Sequence, residues 1–323
     1  MSVSCMGTSG LYVGIDVGGT SVKEGLFTGE GDLLARTAVP TPALVDEAGY
    51  ATVTRGIAEL LDTAQRRPDE LAGIGLAVPC PVPAYGRVSV MPNISLDLPS
   101  LGCALEHAYP AAQVCFANDA NAAAMGELWQ GSARGAANMV LLTIGTGVGG
   151  GVVVNGGLVA GVHGAGGEIG HLCMNPDEER VCGCGNHGCL EQYASATGVV
   201  TAYRDECASR GVEPLPLCGP SDCKTVFDAA RTGDECALAA ADRMAAYLGR
   251  ALALVAAVVD PESFVIGGGA SAAADIFLPA TRTYYQRFAF APQRQIPIEP
   301  ASLGNDAGII GAAYVAVCAV RDA

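Results

Sequence analysis

The sequence predicts a duplicated α/β fold of two domains, and three observations lead there. The first is a pair of similar hairpins. Leu11 to Ile15 is a short apolar run closed by Asp16-Val17-Gly18-Gly19-Thr20 and answered by a return run, Val22 to Phe27. Val140 to Ile144 is closed in the same manner by Gly145-Thr146-Gly147 and answered by Val148 to Val154. The second is the pattern just after each glycine turn. A strand comes next, not a helix, and no Gly-Lys-Ser/Thr is present, so neither turn is a Rossmann fingerprint or a P-loop. The third is length: 323 residues suit two domains, and one layout met twice in that span marks duplication.

The elements run in chain order. After the first hairpin, Gly29-Glu30-Gly31 makes a turn. Val45 to Arg67 then carries Val53, Ile57, Leu60, Leu61 and Ala64 on one helical stripe. Gly73 to Val78 reads as a strand. Pro79, Pro81, Pro83, Pro92 and Pro99 make the next stretch loop or short edge structure. Gln113 to Ala117 is a strand, and Asn118-Asp119 opens an alanine-rich helix through Trp129. Beyond the second hairpin lie a Cys/His/Gly-rich segment at 163–191, helices to about Val259 and a strand from Phe264 to Ile266. Gly267-Gly268-Gly269 comes next, and an apolar helix from Ala307 to about Val320 closes the chain. The expected division is a small domain at 1–117 and a larger one at 118–306, with the last helix, 307–323, returning to the first.

Composition limits the function classes. Half the residues are hydrophobic and 16% are charged, which excludes a disordered chain. The net charge of -15 argues against nucleic acid or an anionic membrane as partner. MSVSCMGTSG lacks the basic start and apolar stretch of a signal peptide, and Ala251 to Val259 is too short to span a bilayer. A soluble, cytoplasmic protein is expected, whose 13 cysteines are thiols or metal ligands.

Four constellations carry candidate chemistry. The two glycine turns fit either tight hairpins or anion cradles, in which successive amides approach a phosphate with no Cβ between. Thr20 and Thr146 add hydroxyls, Lys23 a charge, and Asp16 a carboxylate for hydrated magnesium. Asn118-Asp119 fits either a helix N-cap or a carboxylate at a strand's carboxyl end, placed to accept a hydroxyl proton during phosphoryl transfer. His171, Cys182, Cys184 and Cys189 are spaced H-x10-C-x-C-x4-C with glycines between. Three thiolates and one imidazole make a closed tetrahedral zinc site, structural because no position remains for water; buried free thiols are the other reading. Glu168 and Glu191 flank this cluster, Glu168 inside the glycine-rich loop GAGGEIG at 164–170.

Together these residues resemble the ROK family of sugar kinases and sugar-responsive regulators. The carriers are IDVGGT at 15–20, NDANAAAMGE at 118–127, TIGTGVGGG at 143–151, GAGGEIGH at 164–171, CGCGNHGCLEQYAS at 182–195 and VIGGGAS at 265–271. WQGSARG at 129–135, EQYASATG at 191–198 and LGNDAGIIGAA at 303–313 are similar to its bacterial ATP-dependent glucokinase subgroup. The resemblance implies an actin-like ATPase (ribonuclease H-like) duplicated fold, with ATP and sugar in an interdomain cleft and phosphorylation of glucose at O6. It implies Asp119 as the general base for the O6 proton. Asn118, Glu168, His171, Glu191 and, less typically placed, Asn93 would bind sugar hydroxyls. Asp16, Gly18, Gly19, Thr20, Lys23, Gly145, Thr146 and Gly147 match the phosphate and Mg-ATP segments, and Gly267, Gly268 and Gly269 the adenosine segment. It also implies a homo-oligomer. Fructose, allose, N-acetylmannosamine or N-acetylglucosamine are the alternative sugars. A sugar-responsive regulator of the family is the remoter alternative, since it needs a helix-turn-helix domain, whereas ten residues precede Leu11 and the net charge is acidic. Cys80, in VPCPV at 78–82, stands where the family usually has glycine, and 93–98 is atypical; both bear on sugar choice.

Overall fold

Each glycine-turn hairpin grows into one five-stranded sheet, and the two sheets share one topology. The structure is a computed structural model and describes residues 10–82 and 95–323. It divides into two units. Unit 1 is Met1–Gly135, Leu158–Gly166 and Asn305–Ala323; unit 2 is Ala136–Gly157 and Gly167–Gly304.

In unit 1, β1 (Leu11–Val17), β2 (Ser21–Thr28) and β3 (Leu33–Pro40) form an antiparallel meander. Then come α1 (Glu47–Thr63), β4 (Leu71–Val78), α2 (Leu98–Ala108), β5 (Gln113–Asn118) and α3 (Asp119–Gln130). The sheet order is β3-β2-β1-β4-β5, with β4 parallel to β1 and β5 parallel to β4. Parallel neighbours need crossovers, and α1 and α2 supply them. The second sheet starts from β6 (Met139–Ile144), β7 (Val148–Val154) and β8 (Gly157–Leu158). Unit 2 continues with α4 (Glu191–Ala194), α5 (Ala196–Arg210), α6 (Cys223–Arg231), α7 (Glu235–Val259), β9 (Ser263–Gly267), α8 (Ala274–Phe288) and β10 (Ile298–Pro300). Its order, β10-β9-β6-β7-β8, is that of the first sheet strand for strand, because β6 pairs antiparallel with β7 and parallel with β9. Val13, Ile15, Ile74 and Leu76 lead one core, and Val140, Leu142, Phe264 and Ile266 the other.

The last helix, α9 (Ala307–Asp322), belongs to unit 1. A Cβ at Gly14 on β1 or at Gly75 on β4 would strike the α9 backbone at Ile309 and Ala312, so these glycines let helix and sheet come close. α3 packs along the same helix, where Gly126 and Gly311 leave no room for side chains. That contact draws α3 into unit 1, so the chain enters unit 2 after Gly135 and not near Ala117. A helix, α2, begins at the end of the proline-rich stretch, where loop or edge structure is expected. Asp97 caps α2 by accepting the Ser100 amide, and Pro99 lies in its first turn, where a missing N–H costs nothing. Among the described residues no helix is long and apolar enough to cross a membrane.

Candidate active site

The first glycine turn joins β1 to β2. The Gly18 amide donates to Ser21 O at 3.0 Å, while Thr41, just after β3, donates its hydroxyl to Gly18 O at 2.5 Å and its amide to Thr20 O at 3.2 Å. Asp16 and Lys23 are direct cross-strand partners, so their side chains share one face. Burial raises the Asp16 carboxyl above the ordinary aspartate value; Lys23 opposes the rise and the nearby Asp119 carboxylate adds to it. Lys23 Nζ donates to Asn305 O at 3.1 Å, which holds its ammonium beside the start of α9.

Asn118 and Asp119 sit where β5 becomes α3. Asn118 is the N-cap: its Oδ1 accepts from Ala120 N at 3.0 Å and from Asn121 N at 3.3 Å. The helix is therefore capped without Asp119, whose Oδ1 takes the Ala120 amide at 2.8 Å from the first helical position. Asp119 keeps solvent contact, yet the protein around it desolvates the carboxyl enough to raise its pKa, against the lowering effect of the Ala120 amide and Asn118. Asn118 Nδ2 donates to Cys80 O at 3.4 Å. The Cys80 thiol is buried, and that burial together with Asp119 pushes it up to about 11, so it is an inert apolar group. Asn93 lies outside the described residues.

The second glycine turn joins β6 to β7. Gly145 N donates to Gly147 O at 2.9 Å, Ala196 N to Gly145 O at 2.9 Å, and Thr197 Oγ1 to Thr146 O at 2.9 Å. Glu191 reaches the same place, since its Oε2 accepts the Val148 amide at 3.1 Å. A Cβ at Gly147 would strike that carboxylate, so replacing Gly147 disturbs Glu191 as well as the turn. Gly267 ends β9 opposite Thr143, and Gly268 has φ of 81° with the Ile144 backbone against its open side.

Glycine is demanded by the fold where φ is positive or a Cβ would collide. Neither holds at Gly19, Gly145 and Gly269: an added Cβ would meet no described atom within 4 Å, and φ is outside the left-handed region. Gly183, exposed, and Gly219, half-buried, share this property in loops. Thus each of the three glycine segments matched to nucleotide has one glycine whose missing side chain leaves open space.

His171, Cys182, Cys184 and Cys189 converge. Their ligand atoms all lie within 4.8 Å of one another. His171 Nδ1 is 3.7 Å from Cys182 Sγ, and Cys184 Sγ is 3.6 Å from Cys189 Sγ. A tetrahedral ion with metal–sulfur arms of about 2.3 Å needs donor separations of about 3.8 Å, which these two pairs match, while the full set, spread over up to 4.8 Å, would draw in slightly around zinc. The imidazole's other nitrogen, Nε2, faces Glu168 Oε2 at 3.9 Å. The adjoining chain is braced by Glu178, which holds Arg180 at 2.7 and 2.9 Å and accepts from Tyr193 OH at 2.7 Å. Cys182 Sγ also contacts Glu191 Oε1 at 3.4 Å.

Two sheets of one topology, each with a glycine turn between its first two strands, define an actin-like ATPase type of duplicated α/β protein. A family model described as the ROK family matches residues 12–318, and the chain belongs to that family. A glucokinase of Halalkalibacterium halodurans is 39% identical over 317 residues, covering 94% of each chain. The crystal structure of a ROK hexokinase from Thermus thermophilus superposes with a TM-score of 0.80 at 33% identity, covering 97% of this chain and all of that one. A ROK family glucokinase from Streptomyces griseus, crystallised with glucose and AMPPNP, gives 0.72 at 29% identity, covering 95% and 99%.

Proposed function

We propose that this protein is an ATP-dependent hexose kinase that phosphorylates glucose at O6. The observation that carries the reading is Asp119, a carboxylate at the carboxyl end of β5 that Asn118 relieves of capping. In the proposed step O6 attacks the γ-phosphorus, and the O6–phosphorus bond forms as the bond to the β–γ bridging oxygen breaks. ADP leaves, and the O6 proton passes to the Asp119 carboxylate. The elevated pKa of Asp119 suits it to that proton, since a base nearer neutrality holds it more readily during the step.

Asn118, Glu168, His171 and Glu191, with Asn93, are assigned to the sugar hydroxyls. Gly18, Gly19, Thr20, Lys23, Gly145, Thr146 and Gly147 are assigned to the phosphates, and Gly267 to Gly269 to the adenosine; the open faces at Gly19, Gly145 and Gly269 support this. Asp16 would hold hydrated magnesium, which when bound neutralises phosphate charge. His171, Cys182, Cys184 and Cys189 would hold a structural zinc ion, which when bound orders the loop. With Nδ1 turned toward the thiols, His171 directs Nε2 toward Glu168 and the sugar. The reading places the protein in the cytoplasm as a homo-oligomer, and its net charge of -15 argues against nucleic acid or membrane as partner.

ADP release measured against glucose, fructose, allose, N-acetylmannosamine and N-acetylglucosamine tests the assignment. Glucose should give the highest kcat/KM. Preference for an N-acetylated sugar would move the protein to another branch of the family, and no sugar-dependent ADP would end the kinase reading.

A further inference from the structure

The carbonyl groups of both glycine turns are tied back by residues from distant segments to which the sequence assigned no role. In a trans peptide the C=O of one residue and the N–H of the next point to opposite sides of the unit, and the described chain has no cis bonds. Thr41 holds Gly18 O, so the Gly19 amide points away from Thr41. Ala196 N holds Gly145 O, which turns out the Thr146 amide; Thr197 Oγ1 holds Thr146 O, which turns out the Gly147 amide. Gly19 and Gly145 are the two turn glycines with open space at the Cβ position. In the first turn, then, a threonine hydroxyl from a distant segment fixes the peptide plane of an open glycine, and in the second it fixes the next plane along from one, whose own plane the Ala196 amide holds.

We propose that Thr41 and Thr197 are positioning residues for nucleotide phosphate: each locks a carbonyl inward so that the following amide is aimed at a phosphoryl oxygen. The proposal rests on reading the two turns as phosphate cradles. Neither threonine touches the ligand in this arrangement. A flexible turn can still bind, but it must first give up alternative orientations of the peptide plane, and that cost appears as weaker affinity. Backbone amides aimed in advance are the anion-binding arrangement of successive N–H groups.

The second hydroxyl has an independent anchor. Thr197 stands in the first turn of α5, where Ser195 caps the helix by accepting the Gly198 amide at 3.0 Å, and Ala196 donates its own otherwise unpaired helix-end amide to the turn. α5 is thus fixed to the turn by backbone and side chain together, and removing the Thr197 hydroxyl leaves the Ala196 bond in place. That separates aim from attachment.

The test uses the whole protein with Thr41→Val, Thr197→Val and the serine replacements, plus Gly145→Ala as a control on the cradle itself. Calorimetry measures Kd for AMPPNP with magnesium and, separately, for glucose. Each valine variant should weaken AMPPNP about fivefold, the worth of one hydrogen bond, and leave glucose affinity within about twofold. Serine should restore most of the loss, since it keeps the hydroxyl and gives up only a methyl group. Unchanged AMPPNP affinity in folded valine variants, with Gly145→Ala strongly weakened, overturns the positioning role and keeps the cradle. Unchanged affinity in Gly145→Ala as well overturns the cradle reading beneath it. Parallel loss of glucose and AMPPNP affinity that serine does not rescue shows a merely structural role and also overturns the proposal.

Discussion

The two hairpins are copies in topology and opposites in chemistry. The β1–β2 hairpin carries ionisable groups: Asp16 and Lys23 face each other across the strands, and Glu24 lies buried just beyond. The β6–β7 hairpin carries none. Two residues after the valine that opens the return strand, the first has Glu24 where the second has Gly150, and Gly150 lies against Gly167 O and the Ile169 side chain. What the second turn lacks in charge it gains in attachment, through Glu191, Ala196 and Thr197. On one scaffold met twice, unit 1 carries carboxylates with raised pKa, Asp16 and Asp119, while unit 2 carries the thiol and imidazole knot. The difference teaches that one topology carries two kinds of side-chain equipment: buried and partly buried carboxylates around the first turn, and a backbone-braced turn beside a thiol and imidazole cluster in the second.

The sharpest way to break that contrast is Asp119→Asn. An amide keeps size and hydrogen bonding but cannot take the O6 proton, so kcat should fall by at least about 10²-fold with glucose Kd unchanged. Near-normal turnover would show that unit 1 does not hold the base. In the active wild type, the acid limb of the pH–kcat profile should fall above the ordinary aspartate range. Only the carboxylate can accept the proton, and burial raises its pKa.

Glu24 sharpens the contrast through stability. Its oxygens have no hydrogen-bond partner among the described residues, Gly56 of α1 packs against the carboxyl, and Tyr109 and Glu59 lie in its field. Burial first, and Glu59 second, push it up from 4.5 to about 8. Between those values the folded state keeps a proton that the unfolded state releases, so stability is fully present below the lower value and declines as pH rises through the upper one. Glu24→Gln should match wild type in urea unfolding near pH 5 and exceed it by about 1–3 kcal/mol near pH 9. A pH-independent difference would mean that Glu24 is already ionised in the fold.

Cys184→Ser probes the holding side. The variant should lose about one zinc per chain and weaken glucose about tenfold or more, because a second contact fixes each ligand that a metal orients. AMPPNP should suffer less, since the Ala196 and Thr197 bonds to the turn do not pass through the thiols. Metal analysis and paired calorimetric titrations decide this, and a metal-free wild type that phosphorylates glucose normally would deprive the knot of any role in sugar binding.

Much of this was legible in the sequence because the signals are local. Both hairpins, the end of α7 at Val259 and the four converging Cys and His side chains arise from patterns within a few tens of residues. The third strand, β3, was missed because LLARTAVP alternates weakly, and α2 because Pro99 reads as a breaker until its place in the first turn is seen. Thr41 carried no signal, and Thr197, though inside EQYASATG at 191–198, carried none that marked its own role. A threonine next to a proline or in an alanine-rich segment is ordinary, and only folding brings each to a glycine turn 23 or 51 residues away. The domain boundary was misplaced for the same reason, since what assigns α3 to unit 1 is its packing on α9, near the other end of the chain.

If phosphate passes to O6 with Asp119 as base, the product itself will show it. Wild type with magnesium, ATP and glucose should yield glucose 6-phosphate as the sole sugar phosphate by phosphorus NMR. 6-Deoxyglucose should bind but take no phosphate, and Asp119→Asn should bind glucose and give almost no product. Phosphate on any other oxygen, or transfer to 6-deoxyglucose at a comparable rate, would contradict the account.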